Sequence, residues 1–345
     1  MNRQAATHYP RHTAHKRLGE RSKPENITVG VVGLGLMGTS IVTCLLASGH
    51  PVVGIEVEAR RRQNAKRRTF SLLREMKQER LLRTDPRQVV RRLRVSGDHS
   101  ALGACEVVVE SIFENVELKK KVLRQIEDVV APTAIVGSNT SAIPVTIFQE
   151  GALHPERILG IHWAEPAHVT RFMEIICGKY TDPAYAERAL ALARGWRKEP
   201  SLLRRDIRGF ITNRIMYAML REAFHLVESG YATIADVDRS LRNDMGYWIT
   251  FAGPFRFMDL TGIPAYEAVM RDLFPDLSNE TGVPKLMSEL VKSGARGVSN
   301  ARGFYPYTPA QAKRWEKLFM KFSYEIRALA QRYPEDIGDR LDGRR

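Results

Sequence analysis

A chain of 345 residues, 43% hydrophobic and 27% charged, can bury two cores; lacking an apolar run of about eighteen residues and a secretory leader, it is expected to be a cytoplasmic globular protein, neither membrane-spanning nor exported. Its three cysteines, Cys44, Cys105 and Cys177, sit in apolar settings without ligand-like spacing, which points to buried thiols and away from a zinc site or disulfide framework. The net charge of +14 is concentrated, with fourteen Lys and Arg against three acids in residues 60–94, six against one in residues 1–24, and near balance elsewhere, so a basic patch awaits an anionic partner.

Residues 1–25 mix His, Arg, Pro and Ser without periodicity and are expected to form a disordered basic tail. Arg-rich and nearly free of acids, they also fit a mitochondrial targeting segment. From Asn26 strands and helices alternate. "ITVGVVG" is a buried strand, Leu36 to Ser48 a helix closed by Gly49, and "PVVGIE" a second strand, together a βαβ unit. Two charged helical stretches follow, Ala59 to Glu79 and Pro86 to Arg92, and then the strand "CEVVVES". A helix beginning at Glu114 places Val116, Leu118, Val122, Ile126 and Val129 on one face. "AIVGSNTS" is a strand ending in a polar turn, and "RILGIHW" and "RFMEIIC" come next. This pattern predicts an α/β domain over residues 26–205, built on a doubly wound, mostly parallel sheet of the Rossmann type. Beyond about residue 205 the strands stop. "GFITNRIMYAMLREAFHLVESG" is a long helix ended by Gly230, "TIADVDRSLR" opens with a Thr233/Asp236 capping pattern, and further helices are expected near 264–274, 283–294 and 308–332. An all-α C-terminal domain over residues 206–332 is therefore predicted, followed by a tail, residues 333–345.

The first βα junction reads Gly33-x-Gly35-Leu36-Met37-Gly38, and Glu56 ends the next strand. Glycines there let the backbone turn tightly and approach a pyrophosphate seated on the helix N-terminus, while the acid accepts from ribose hydroxyls. The pattern predicts dinucleotide binding. Glu56 favours NAD, because a carboxylate repels a 2′-phosphate, although Arg60, Arg61 and Arg62 keep NADP open.

Further on come "ESIFENVELKKKV", "SNTSAI", "ERILGIHWAEP", "FMEII", "GFITNR", "GPFRFMDLTG" and "RGFYPY", in that order. From about residue 27 to 308 the chain resembles the 3-hydroxyacyl-CoA dehydrogenase family. The resemblance implies NAD-dependent oxidation of an L-3-hydroxyacyl-CoA by a homodimer joined through the helical domain. It places the family's catalytic histidine on His162, its partner glutamate on Glu174, its active-site serine on Ser141 and its helical asparagine on Asn213. Contacts on the nicotinamide side fall on Glu114 and Lys119. The chemistry agrees: oxidising a secondary alcohol requires a base for the hydroxyl proton while hydride leaves, and an imidazole suits that role. Glu174 would orient His162 and stabilise its cation, with Ser141 and Asn213 holding the substrate oxygens.

The chain departs from this family at Glu165, where the H-x-x-N-P segment carries an asparagine that contacts the cofactor. A carboxylate there can perturb His162, alter the nicotinamide pocket, or meet a cationic or hydroxyl-rich substrate, which makes a free 3-hydroxy acid, carnitine- or gulonate-like, the alternative. The family's basic residue shortly before "GFY" is absent, with Val298 and Ser299 in its neighbourhood and Arg296 or Arg302 as its candidate substitutes. Phosphates of CoA are a plausible counterpart for Lys66, Arg67, Arg68 or Lys77, as is plain solvation. The basic run lacks a helix-turn-helix signature, zinc spacing and interleaved aromatics, so a nucleic-acid partner is not expected.

Overall fold

The computed structural model describes residues 27–333; the expected N-terminal tail, and all of the C-terminal one except Tyr333, lie outside them. Eight strands form one sheet: β1 (Val29–Val32), β2 (Val52–Ile55), β3 (Leu93–Ser96), β4 (Val107–Glu110), β5 (Ile135–Ser138), β6 (Ile158–Trp163), β7 (Phe172–Cys177) and β8 (Glu199–Leu203). Their order is β3-β2-β1-β4-β5-β6-β7-β8. Neighbours from β3 to β6 are parallel, β6 and β7 are antiparallel, and β7 and β8 are parallel again. The last two strands therefore run against the first six.

The central strands are short runs of Val and Ile buried on both faces, as parallel strands covered by helices must be. Helices α1 (Leu36–Ala47), α2 (Ala59–Gln78), α3 (Pro86–Val90), α4 (Val116–Glu127), α5 (Val145–Gln149) and α6 (Pro183–Gly195) supply that cover. Alternation along the strands divides the core. Val29, Val31, Val107 and Val109 pack with Ile41, Leu45, Leu73 and Leu190 from α1, α2 and α6. Val32, Val53, Val108 and Val136 pack with Leu123, Ile126 and Phe148 from α4 and α5. This is the doubly wound arrangement that the βα alternation predicts.

In the sheet domain four elements go beyond those expected: β3, α5, α6 and β8. Leu118 also corrects the face expected for α4, because it is 42% exposed while Lys119, Val122, Leu123 and Ile126 point inward. All three cysteines are buried and free. Among the described residues no helix is long and apolar enough to cross a membrane.

The chain continues through α7 (Thr212–Glu228), α8 (Ile234–Asn243), α9 (Met245–Trp248), α10 (Pro254–Thr261), α11 (Ile263–Leu273), α12 (Lys285–Lys292) and α13 (Pro309–Ala330). Thr233 caps α8 by accepting from the Asp236 amide, and Thr308 with Gln311 forms a capping box on α13. None of α7 to α12 buries a residue fully. Helix α13 differs: Tyr324 and Arg327 are buried, and Arg327 reaches back to the carbonyls of Val169 and Arg197 in the sheet domain.

Candidate active site

The C-terminal edge of a parallel sheet is where α/β folds bind ligands, and the sequence motifs converge there. Gly33 ends β1 at φ +91°, where a Cβ would lie 2.6 Å from the carbonyl oxygen of Ser111. A Cβ on Gly38 would overlap the Gly33 carbonyl oxygen, so this glycine lets α1 pack against the turn. At Gly35 a Cβ would meet nothing within 4 Å and would project into open space. No side chain caps the first amides of α1, which leaves donors for an anion. Glu56, 6% exposed, closes the cradle: one carboxylate oxygen accepts from the Leu34 amide at 3.1 Å and the other from the Glu58 amide at 3.1 Å. Arg62 donates to the carbonyls of Glu56 and Val57, and Arg61 pairs with Glu58. Leu36 is exposed at the mouth and Met37 half-buried. Two sterically required glycines, a third that leaves an open approach, free helix-start amides and a buried acid make a fit for a dinucleotide.

His162 and Glu174, twelve residues apart in sequence, are partners in the antiparallel register of β6 and β7. That pairing puts both side chains on one face. Nδ1 of His162 is 2.8 Å from Oε2 of Glu174, with His162 7% and Glu174 1% exposed. The other oxygen, Oε1, accepts from the amides of Ile211 and Thr212 at 3.1 and 3.0 Å, so this carboxylate also caps the start of α7. Burial pushes the Glu174 pKa up, but the hydrogen bond from His162 and the amides of Thr212 and Ile211 outweigh it and hold the group below its ordinary value. Phe172 meets the imidazole edge-on at 5.4 Å between ring centres, and Phe210 lies at 5.6 Å. With Nδ1 fixed, Nε2 is the ring nitrogen left for a substrate.

A second network lies at the ends of β4 and β5. Lys119, 1% exposed, donates to Glu110 at 2.8 and 3.0 Å and pairs with Glu114 at 3.3 Å. Ser138 donates to Glu110 at 2.6 Å. Glu114 accepts from the Thr140 hydroxyl at 2.6 Å and the Ser141 amide at 3.0 Å. Burial raises the Glu114 pKa; the bond from Thr140, the charge of Lys119 and the Ser141 amide bring it below the ordinary value. Asn213, on α7, donates to the Ser141 carbonyl at 2.7 Å. The structure thus joins Glu114, Lys119, Ser141 and Asn213 in one chain of bonds and His162 with Glu174 in another, the two meeting at α7. Lys119 spends its donors on the buried Glu110, the exposed Glu114 and the Ile112 carbonyl. Glu110, Ser138 and Thr140 are additions to the residues expected from sequence; an acid closing the otherwise aliphatic "VVVE" was the available signal.

Glu165 begins the segment after β6, exposed at the same edge and joined to Pro166 by a cis peptide bond. Crowding by the protein raises its pKa and the charge of Arg68 opposes that.

Comparison with known proteins decides the family. The model for the 3-hydroxyacyl-CoA dehydrogenase NAD binding domain matches residues 28–207, and that for the 3-hydroxyacyl-CoA dehydrogenase C-terminal domain matches residues 209–307. The chain belongs to the 3-hydroxyacyl-CoA dehydrogenase family. This dehydrogenase is 32% identical over 286 residues to the 5-formyl-3-hydroxy-2-methylpyridine 4-carboxylate 5-dehydrogenase of Mesorhizobium japonicum, covering 83% of this chain and 92% of that one. It is 29% identical over 282 residues to the 3-hydroxybutyryl-CoA dehydrogenase of Mycobacterium tuberculosis, covering 81% and 98%. A crystal structure of the pyridine-carboxylate enzyme, described as an NAD+ dependent dismutase, superposes with a TM-score of 0.83 at 28% identity, over 89% of this chain and 99% of that chain. The dehydrogenase is an NAD-dependent oxidoreductase.

Proposed function

We propose that the enzyme oxidises an L-3-hydroxyacyl-CoA to the 3-oxoacyl-CoA, with His162 and Glu174 as its base. The observation that carries this reading is the 2.8 Å bond between His162 Nδ1 and Glu174 Oε2 at the sheet edge that holds the glycine turn. Gly33, Gly35, Leu36, Met37, Gly38, Glu56, Glu114, Ser141 and Glu165 would hold NAD, which would supply the hydride acceptor. His162 Nε2 takes the hydroxyl proton, and Glu174 stabilises the imidazolium that results. Ser141 and Asn213 orient the substrate oxygens, with Asn213 anchored on the Ser141 carbonyl. Lys119 acts from inside, fixing Glu114 and through it the Ser141 turn. Exposed cations on α2, including Lys66, Arg67 and Arg68, offer charge to an anionic substrate. The test is initial-rate measurement of NADH formation over a chain-length series of 3-hydroxyacyl-CoA thioesters, with His162→Gln as control. Turnover that the substitution abolishes supports the reading, and silence across the series overturns it.

A free hydroxy acid is the second reading. It is favoured by the similarity to an enzyme named for a pyridine carboxylate, at a TM-score of 0.83, and by the carboxylate at Glu165. A panel of free 3-hydroxy acids run beside the thioesters separates the two.

The unburied helices support a homodimer. Ile215, Tyr217, Tyr247, Phe255, Leu260 and Phe274 are among many large apolar residues exposed across α7 to α11 and the turn that follows, more than a monomer ordinarily leaves to water. A second copy of this chain covers them in our reading.

A further inference from the structure

Residues 164–171 join β6 to β7, so the segment carrying Glu165 lies between His162 and Glu174 in sequence and starts from the strand end that carries His162. Its back is held by three distant elements. Lys198, just before β8 and 4% exposed, donates to the carbonyls of Ala167 and Thr170 at 2.5 Å each, its Nζ 4.9 Å from the centre of the Trp163 ring. Arg327 of α13, 8% exposed, donates to the Val169 carbonyl and, at 3.4 Å, to that of Arg197. Ser40 of α1 bonds Nδ1 of His168 at 2.8 Å and accepts from its amide at 3.3 Å. Three of the four carbonyls in residues 167–170 are thus held by buried cations. Burying an ammonium and a guanidinium is costly, and here both spend donors on carbonyls of one short segment. Helix α13 begins at Pro309, beyond the region matched to the family's C-terminal domain, which ends at residue 307.

We propose that Lys198 and Arg327 are positioning residues that hold the 164–170 segment so that Glu165 meets the nicotinamide cofactor, with the last helix of the chain setting cofactor affinity through Arg327. The proposal rests on the assignment of Glu165 to the cofactor site and is independent of the substrate. Removing either releases the segment without deleting a group that touches NAD.

The test uses the full chain and two readouts besides turnover: NADH affinity by fluorescence titration, and amide hydrogen exchange of the apo protein. Arg327→Met is expected to weaken NADH binding about tenfold, a size typical of coupling through packed elements, and to speed exchange in residues 164–170 by a similar factor while β1 and β4 keep their protection. Arg327→Lys, which retains a donor and a charge, is expected to recover most of both effects and remains informative if the methionine variant does not fold. Lys198→Met should mimic Arg327→Met. Unchanged NADH affinity in Arg327→Met, or equal losses in the lysine and methionine variants, would overturn the proposal. Glu165→Ala is the separate check on its premise: if that change leaves NADH affinity untouched, the assignment of Glu165 has failed, whatever the exchange data show.

Discussion

The Glu174 carboxylate serves two neighbours at once, turning one oxygen to His162 and the other to the first amides of α7. Replacing it therefore disturbs chemistry and fold together. Glu174→Gln is expected to lower kcat by roughly 10²-fold and His162→Gln by about 10³-fold, the range for a positioned acid–base group, with NADH affinity unchanged in His162→Gln; steady-state rates and fluorescence titration check both. The pH dependence of stability has a definite sign. The folded-state pKa of Glu174 is lowered from 4.5, so its contribution is present above the unfolded value and disappears as pH falls through the folded one. In His168, burial, then the charges of Lys198 and Arg68, lower the pKa from 6.5 to about 4. Between those values the unfolded chain holds a proton that the folded one refuses, so stability falls on acidification from pH 6.5 to about 4. Urea unfolding at intervals from pH 7 to 3 should show His168→Asn flattening the upper part of this acid limb and Glu174→Gln the part below pH 4.5. An unaltered profile in both variants contradicts the assignments. From sequence, His162 and Glu174 were legible only through their surrounding motifs, because a separation of twelve residues has no meaning until antiparallel pairing makes it a direct contact. Glu110 was harder to see: a single acid after three valines does not announce a buried lysine.

At the level of elements, the glycine turn was readable because each glycine answers a steric demand, and the demands differ. Gly38→Ala drives a methyl into the Gly33 carbonyl and is expected to cost about 3 kcal/mol or more of stability, at the upper end for overpacking. Gly35→Ala adds a methyl to open space, so its melting temperature should stay within about 2 °C of the parent. NADH binding should nonetheless weaken more than about tenfold, since that methyl occupies the approach of the pyrophosphate. Differential scanning fluorimetry and titration of the two variants test this contrast. The apolar central strands and capped helices were equally legible, but β3 was not. It is an edge strand of four residues, "LRVS", with only Leu93 fully buried and a run of arginines before it, so tertiary pairing with β2 decides its conformation. In α4, Leu118 and Lys119 exchange their expected environments because Glu110 gives the ammonium a partner inside the protein.

For the whole molecule, the contrast is between a sheet domain with a dense core and helices that keep broad apolar surface exposed. A dimer is expected in solution with twice the 39.1 kDa mass of the chain, and its melting temperature should rise with protein concentration, as for any fold completed by association. Sedimentation equilibrium across a dilution series checks the mass; a monomer at micromolar concentration removes the proposed interface. Composition and periodicity foretold a helical second domain but could not tell which apolar faces turn inward, since an amphipathic helix looks the same whether its cover comes from its own chain or another. The reversal of chain direction between β6 and β7 has a consequence for how such an enzyme can change. The spacing of base and acid is set by rungs of a backbone ladder, while the connecting segment merely travels out and returns. Residues can be added to or exchanged within that excursion without moving the imidazole away from its carboxylate, so selectivity can diverge while the proton-transfer apparatus stays in place.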